Sequence, residues 1–202
     1  MHEQPQTQRR QAHDTEDDTD LALLRRTNDG DREAFHELYA KFYHPLLRFI
    51  YRITGQLELA QEGINDVMLV VWKNGDRFGG RSKVATWIMG IAYHKALKSL
   101  EKSRRWSDRV TSMDFDNSTE LSAALTEHTT STDLQDLLEH GMKVLSAKQR
   151  AVVELTYYYG YSYEEIAAIA ECPINTVKTR MFHARAKLRN ALPSLGKDEL
   201  QT

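Results

Sequence analysis

The chain has 202 residues and a single cysteine, Cys172, so no disulfide can form within it. Long hydrophobic runs are missing too. Stretches such as Val67 to Trp72 fall far short of the roughly 20 apolar residues a membrane-spanning helix needs. Residues 1–20 are polar throughout and hold no apolar signal core. Together these absences predict a cytoplasmic chain with no membrane insertion. No stretch alternates with the two-residue period of a strand, and no internal repeat is present. An excess of positive charge is also lacking, with 27 Lys and Arg against 29 Asp and Glu, so bulk charge alone does not suggest a nucleic-acid binder. What is there, 41% hydrophobic and 28% charged residues, fits one medium globular domain or two small ones.

The distribution of charge carries more than its sum. Asp14 to Asp20 is acidic, and Lys95 to Arg109 is basic. Asp114 to Glu139 contains no lysine or arginine, whereas Lys178 to Arg189 contains no acid. Residues 1–18 read as a disordered tail with no periodic apolar face. Helical spacing begins near Leu21 and resumes after Asn28-Asp29-Gly30, with Asp31 expected as N-cap. Phe35, Leu38, Tyr39, Phe42, Leu46, Phe49, Ile50 and Ile53 lie on one helix face, and Pro45 is expected to kink that helix or divide it. A second helix from Leu57 to Lys73 carries the stripe Ala60, Ile64, Val67, Met68 and Val71, with Gly75 as its stop. After a loop at Arg77 to Lys83, a third helix runs from Val84 to about Arg104, with Trp87, Ile88, Ile91, Ala92, Leu97 and Leu100 inward.

Residues 106–132 lose this pattern. They are expected to form an acidic linker, with a short helix at Leu121 to Leu125, between a first domain (19–105) and a second (133–195); residues 196–202 are a tail. In the second domain, Leu134, Leu137, Leu138, Met142 and Leu145 form a stripe. Ser146 with Gln149, and Ser162 with Glu165, are capping boxes opening two successive helices. Glu171 to Ile174 is a turn in which Pro173 bars continuation, and Asn175 is expected to cap a last helix reaching about Arg189. The fold class is therefore all-α: two small helical domains joined by a flexible acidic linker.

The last helix carries the clearest chemistry. With Val177 as origin, Met181, Ala184 and Leu188 fall within about 40° of it and form the core stripe. The opposite face holds Asn175, Thr179, Phe182, His183 and Ala186. Lys178, Arg185 and Arg189 flank it on one side, Arg180 and Lys187 on the other. Small or polar residues between two basic edges suit a helix in a major groove: the edges reach phosphates and the centre approaches bases. The short helix and tight turn before it complete a helix-turn-helix. An exposed phenylalanine at the middle of a polar face also calls for a partner.

These residues resemble a known family. Leu145 to Arg150, Gly160 to Ala167, Pro173 to Arg180 and Ala184-Arg185 are similar to region 4 of bacterial sigma factors of the extracytoplasmic-function (ECF) group, within the sigma-70 family. Trp72, Asp76-Arg77-Phe78, Thr86-Trp87-Ile88 and Ile91-Ala92 resemble region 2 of the same group. The resemblance covers about Leu21 to Leu192. It implies an alternative sigma factor that binds core RNA polymerase, recognises the −10 and −35 promoter elements, supports transcription initiation and is held by an anti-sigma factor. It implies −35 contacts at Asn175, Thr176, Lys178, Thr179, Arg180, Phe182, His183, Arg185 and Lys187. Many members have Arg where this chain has His183 and Gly where it has Asn175. The −10 strand would meet Arg81, Ser82, Lys83, Trp87, His94, Lys95 and Lys98, a set with the donors and aromatic surface that a melted strand needs; Trp87 serves equally as a core residue. Glu62, Asn65, Asp66 and Lys73 would face the β′ coiled coil of the polymerase, and region 4 the β flap. The acidic linker matches a segment that threads toward the polymerase channel.

Other chemistry is thinly supported. The eight histidines show no paired spacing for zinc, and one cysteine cannot build a cysteine-rich site. No metal, cofactor or enzymatic activity is expected. Cys172 reads as a small, half-buried turn residue. A regulator that dimerises on a palindrome is the alternative from another class; it would bind specific duplex DNA without polymerase. A pure polymerase-binding inhibitor would not need the basic helix.

Overall fold

The computed structural model describes residues 17–110 and 141–198. Among these, every regular element is helical. Helix α1 spans residues 17–28, α2 Arg32–Thr54, α3 Leu57–Asn74 and α4 Val84–Val110, with a short 3-10 turn, Gly75–Arg77, between the last two. Residues 141–143 are helical. They lead to α5, Ala147–Tyr157, α6, Tyr163–Ile169, and α7, Ile174–Asp198. The expected helix at Leu121 to Leu125, and Leu134, Leu137 and Leu138, lie outside the described residues.

Local signals explain most of the boundaries. Asp31 caps α2, accepting the N–H groups of Glu33 and Ala34. Those backbone donors, Ala34 first, and Arg26 hold its carboxyl below the usual carboxylate range. Pro45 lies inside α2, which runs unbroken past it; a proline removes one hydrogen bond, and the packed face on both sides keeps the turn. Gly75 stops α3 for a different reason from the one expected. Its φ of −63° is ordinary, but a Cβ there would stand 2.2 Å from the Asn28 side chain and 2.9 Å from Leu24. The glycine is required by close approach, not by handedness. Helix α4 continues past Trp106 to Val110, so the helix outlasts the expected start of the linker.

Helices α2, α3 and α4 pack on one another, as do α5, α6 and α7. The α3 stripe Ala60, Ile64, Val67, Met68 and Val71 is fully buried. The two helix groups also join along a seam, with α4 against α6 and α2 against α5. Tyr159 donates its hydroxyl to the Pro45 carbonyl at 2.7 Å and sets its ring edge-on to Phe49, centroids 5.9 Å apart. The Arg48 guanidinium lies 3.6 Å from the centre of the Tyr158 ring. Arg150 donates to the carbonyls of Arg52 and Met142, both at 3.1 Å. At Gly90 the α4 backbone comes so near α6 that a Cβ would lie 3.5 Å from the Ile169 carbonyl oxygen.

Glu154 is buried in this seam, 3.9 Å from Arg52. Burial raises its carboxyl pKa above the usual carboxylate range, while Arg52, Arg48 and Arg150 pull it down. An acid whose folded-state pKa is raised binds its proton more tightly when folded. The stability this provides is complete below the unfolded value and is lost as pH rises through the folded value. Glu154→Gln is therefore expected to flatten the decline of stability from pH 4.5 upward. Urea midpoints across that range test this, and parallel profiles for the two proteins would contradict it.

Candidate nucleic-acid interface

The turn between α6 and α7 is built by backbone chemistry. Glu171 takes a left-handed φ of 46°, and the Cys172 N–H bonds to the Ala167 carbonyl at 3.0 Å. Pro173 then precedes the first helical residue, Ile174, where a fixed φ and a missing N–H suit a helix start. Asn175 is accordingly not the N-cap expected from the sequence. It sits in the first turn, where its carbonyl accepts the Thr179 hydroxyl at 2.8 Å. Ser162 and Ser146 do cap their helices, each in a reciprocal box with Glu165 and Gln149.

On α7, Val177, Met181 and Ala184 are buried, and Leu188 is partly so. Asn175, Lys178, Thr179, Phe182, His183, Arg185 and Lys187 are exposed, and Thr176 is half-buried. Phe182 leaves 69% of its surface to solvent, with the His183 ring edge-on to it at 5.5 Å. The two basic edges differ. Lys178, Arg185 and Arg189 form an open edge. Arg180 on the other edge is half-buried at the seam, 3.4 Å from the Tyr93 hydroxyl and 3.7 Å from the Cys172 sulfur. Lys187 reaches the Val144 carbonyl at 3.4 Å. Burial pushes the Tyr93 hydroxyl pKa up, against the pull of Arg180. Cys172 is half-buried in the turn, as expected.

The strand-facing candidates of the first unit spread along one loop and one helix. Arg81 is exposed, and Ser82 and Lys83 are half-buried, in the loop before α4. Gly80 turns that loop with φ +65°. The Asp17 carboxylate of α1 accepts the Val84 N–H at 3.1 Å, fixing the start of α4 from another helix. Trp87 is half-buried against Phe78, with centroids 5.6 Å apart. His94 is exposed and lies 3.7 Å from the Glu171 carboxylate. Lys98 is exposed and lines, with Glu62, Leu59 and Trp106, a groove between α3 and α4.

The polymerase-facing candidates sit on α3. Glu62, Asn65 and Lys73 are exposed, and Asn65 accepts the Tyr39 hydroxyl at 3.2 Å. Asp66 pairs with Lys95 at 2.8 Å. The sequence assigned these two residues to different partners, and the fold joins them. The sequence reading also passed over the seam residues Arg48, Arg52, Tyr93, Arg150, Glu154 and Tyr159, and Tyr157, whose hydroxyl accepts from Arg185. The run Tyr157-Tyr158-Tyr159 at a helix end was the one visible signal for these contacts. Among the described residues no helix is long and apolar enough to cross a membrane, and no cluster of metal-binding side chains occurs.

Comparison with known proteins follows the same division. Residues 38–106 match the family model for Sigma-70 region 2, and residues 135–188 that for Sigma-70, region 4. The ECF RNA polymerase sigma-E factor of Escherichia coli K12 is 29% identical over 185 residues, 88% of this chain and 96% of that protein. The RNA polymerase sigma-H factor of Pseudomonas aeruginosa is 30% identical over 183 residues, 87% of this chain and 95% of that protein. Among solved structures, the sigma factor RpoE from Bartonella quintana, in complex with the anti-sigma factor NepR, superposes with TM-score 0.63 at 26% identity, covering 78% of this chain and 97% of that one. CnrH, in complex with the cytosolic domain of CnrY, shares the fold with TM-score 0.62 at 21% identity, covering 87% and 98%. With both regions matched in order on these helices, the chain belongs to the sigma-70 family of RNA polymerase sigma factors, in its extracytoplasmic-function group.

Proposed function

We propose that this chain is an alternative sigma factor that binds core RNA polymerase, directs it to promoters through −10 and −35 elements, and is controlled by an anti-sigma factor. The observation that carries this reading is the pairing of both family regions with an exposed α7 face centred on Phe182 and edged by basic residues. Residues 19–105 serve the polymerase and the −10 element, and residues 133–195 the −35 element, joined by the acidic stretch 106–132. The chain works in the cytoplasm by binding, and catalyses no reaction of its own.

Residue roles follow from placement. Lys178, Thr179, Phe182 and His183 meet −35 bases and the adjoining backbone, with Asn175, Thr176 and Arg185 beside them. Arg81, Ser82, Lys83, Trp87, His94, Lys95 and Lys98 track the opened −10 strand. Glu62, Asn65, Asp66 and Lys73 meet the polymerase β′ coiled coil, and the second unit meets the β flap. Arg180 and His94 are engaged at the seam, and Lys187 is held by Val144. Use of Arg180 and His94 on DNA therefore requires the two units to part, whereas Lys187 need only leave a carbonyl of its own unit. An anti-sigma factor would act on the polymerase-facing surface of α3 and the inner face of the second unit.

Run-off transcription with core polymerase and a promoter selected from a randomised library tests this reading. Lys178→Ala is expected to lower output from a −35-dependent promoter several-fold and to reduce the salt slope of promoter binding by about 1. Glu62→Lys, on an exposed position, is expected to weaken assembly with core polymerase. Specific duplex binding by the free chain as a dimer, with no response to core polymerase, would favour the palindrome-binding regulator instead.

A further inference from the structure

Arg185 is an exposed cation that is nonetheless held in one place. Its Nε–H and one N–H of Nη2 both donate to the Tyr157 hydroxyl oxygen, at 3.1 and 2.7 Å. The guanidinium carbon stands 5.9 Å from the Tyr157 ring centre. Tyr157 ends α5, outside the helix-turn-helix, and 64% of its surface is open to solvent. No carboxylate among the described residues pairs with Arg185. A large aromatic side chain and an unneutralised guanidinium are thus spent on each other at the surface, where an intramolecular contact adds little to stability.

Hydrogen-bond counting shows what the pair offers. A tyrosine hydroxyl has one proton to donate besides its acceptor capacity. With the oxygen accepting from Arg185 on one side, that proton must point away from the guanidinium. Arg185 has five N–H donors, and two are taken by Tyr157, leaving three. The pair therefore presents four donors and a positive charge in a preset arrangement, on the open basic edge of α7 that also carries Lys178 and Arg189. Donors held in advance lose little side-chain freedom on binding. A phosphate oxygen accepts such donors, and charge-assisted bonds of this kind are the strong ones.

We infer that Tyr157 and Arg185 form a clamp for one backbone phosphate of promoter DNA beside the −35 element, in which Tyr157 both positions the arginine and donates its own hydroxyl proton. The inference rests on the proposed −35 role of α7. It adds a residue from α5 to a surface otherwise read from α7 alone, and it fixes the register of the helix on the duplex without reading sequence.

Polymerase holoenzyme binding to a library-selected promoter duplex tests the clamp. Tyr157→Phe keeps the ring and removes the hydroxyl. It is expected to weaken binding about 3- to 10-fold, the range for one lost hydrogen bond, with thermal unfolding of the free chain unchanged. Arg185→Ala is expected to weaken binding further and to reduce the salt slope by about 1. On the Arg185→Ala background the added Tyr157→Phe change should do little more, because the two act as one unit. Wild-type affinity in Tyr157→Phe, or its full effect on the Arg185→Ala background, would overturn the clamp. Lys178→Ala separates the two levels. If it weakens binding while Tyr157→Phe does not, only the clamp fails; if neither weakens binding, the −35 reading fails with it.

Discussion

Leucine in place of Gly90 is expected to part the two helical units while leaving each one folded. Gly90 lies within α4, and the atoms its Cβ would meet are the Ile169 carbonyl oxygen and Cα, at 3.5 and 3.7 Å. A single methyl would fit at van der Waals distance, but a branched side chain would collide with backbone that cannot swing aside. Within α4 itself the change is favourable, since glycine in a helix interior is about 1 kcal/mol worse than a good helix former. The strain therefore falls on the seam. Small-angle scattering should show the radius of gyration rising by several Å above the roughly 17 Å of a compact chain of this length. Arg180 and His94 would lose their seam partners and become available to an external ligand. A scattering curve identical to that of the wild type would show that the seam accommodates the leucine.

Phe49→Ala is expected to lower stability by about 3–5 kcal/mol, the range for emptying a phenylalanine site in a core. Phe49 has no surface exposed, and its far side receives the Tyr159 ring. The substitution empties a fully buried site on α2 and removes the aromatic support beside the Tyr159–Pro45 hydrogen bond. Urea unfolding measures the loss, with the unfolding slope unchanged if the transition stays cooperative. A loss below about 1 kcal/mol would mean that the site collapses around the smaller side chain.

The sequence was most legible where a local rule acted alone. The α3 stripe, the Asp31 cap, both capping boxes and the turn at Pro173 depend on residues within a few positions of one another, and each stands in the structure. The candidate site was legible to the same extent, because one face of α7 can be drawn from its own periodicity. What could not be drawn was the second buried face of α4. Met89, Tyr93 and Ala96 are buried although they lie off the stripe that faces α2 and α3, because α6 packs against α4 from another side. Nothing local in the sequence marks Arg150 and Glu154 as seam residues. Their partners in α2 are about a hundred positions away, and no spacing rule reaches that far. Asn175 is not the cap because it stands two residues after Pro173 and one residue inside a helix that already begins at Ile174.

The ion pair between Asp66 and Lys95 makes the two proposed surfaces of the first unit thermodynamically dependent. Polymerase drawing on Asp66 and a DNA strand drawing on Lys95 would each break the same 2.8 Å contact. Whichever arrives first meets that cost, and the second finds its residue already released. Linkage then requires each ligand to raise the affinity of the other by the same factor. With both side chains partly solvated, the pair is worth at most about 1 kcal/mol, so that factor is capped near fivefold. A single α3–α4 contact would thus give promoter engagement a modest preference for the assembled holoenzyme over the free chain.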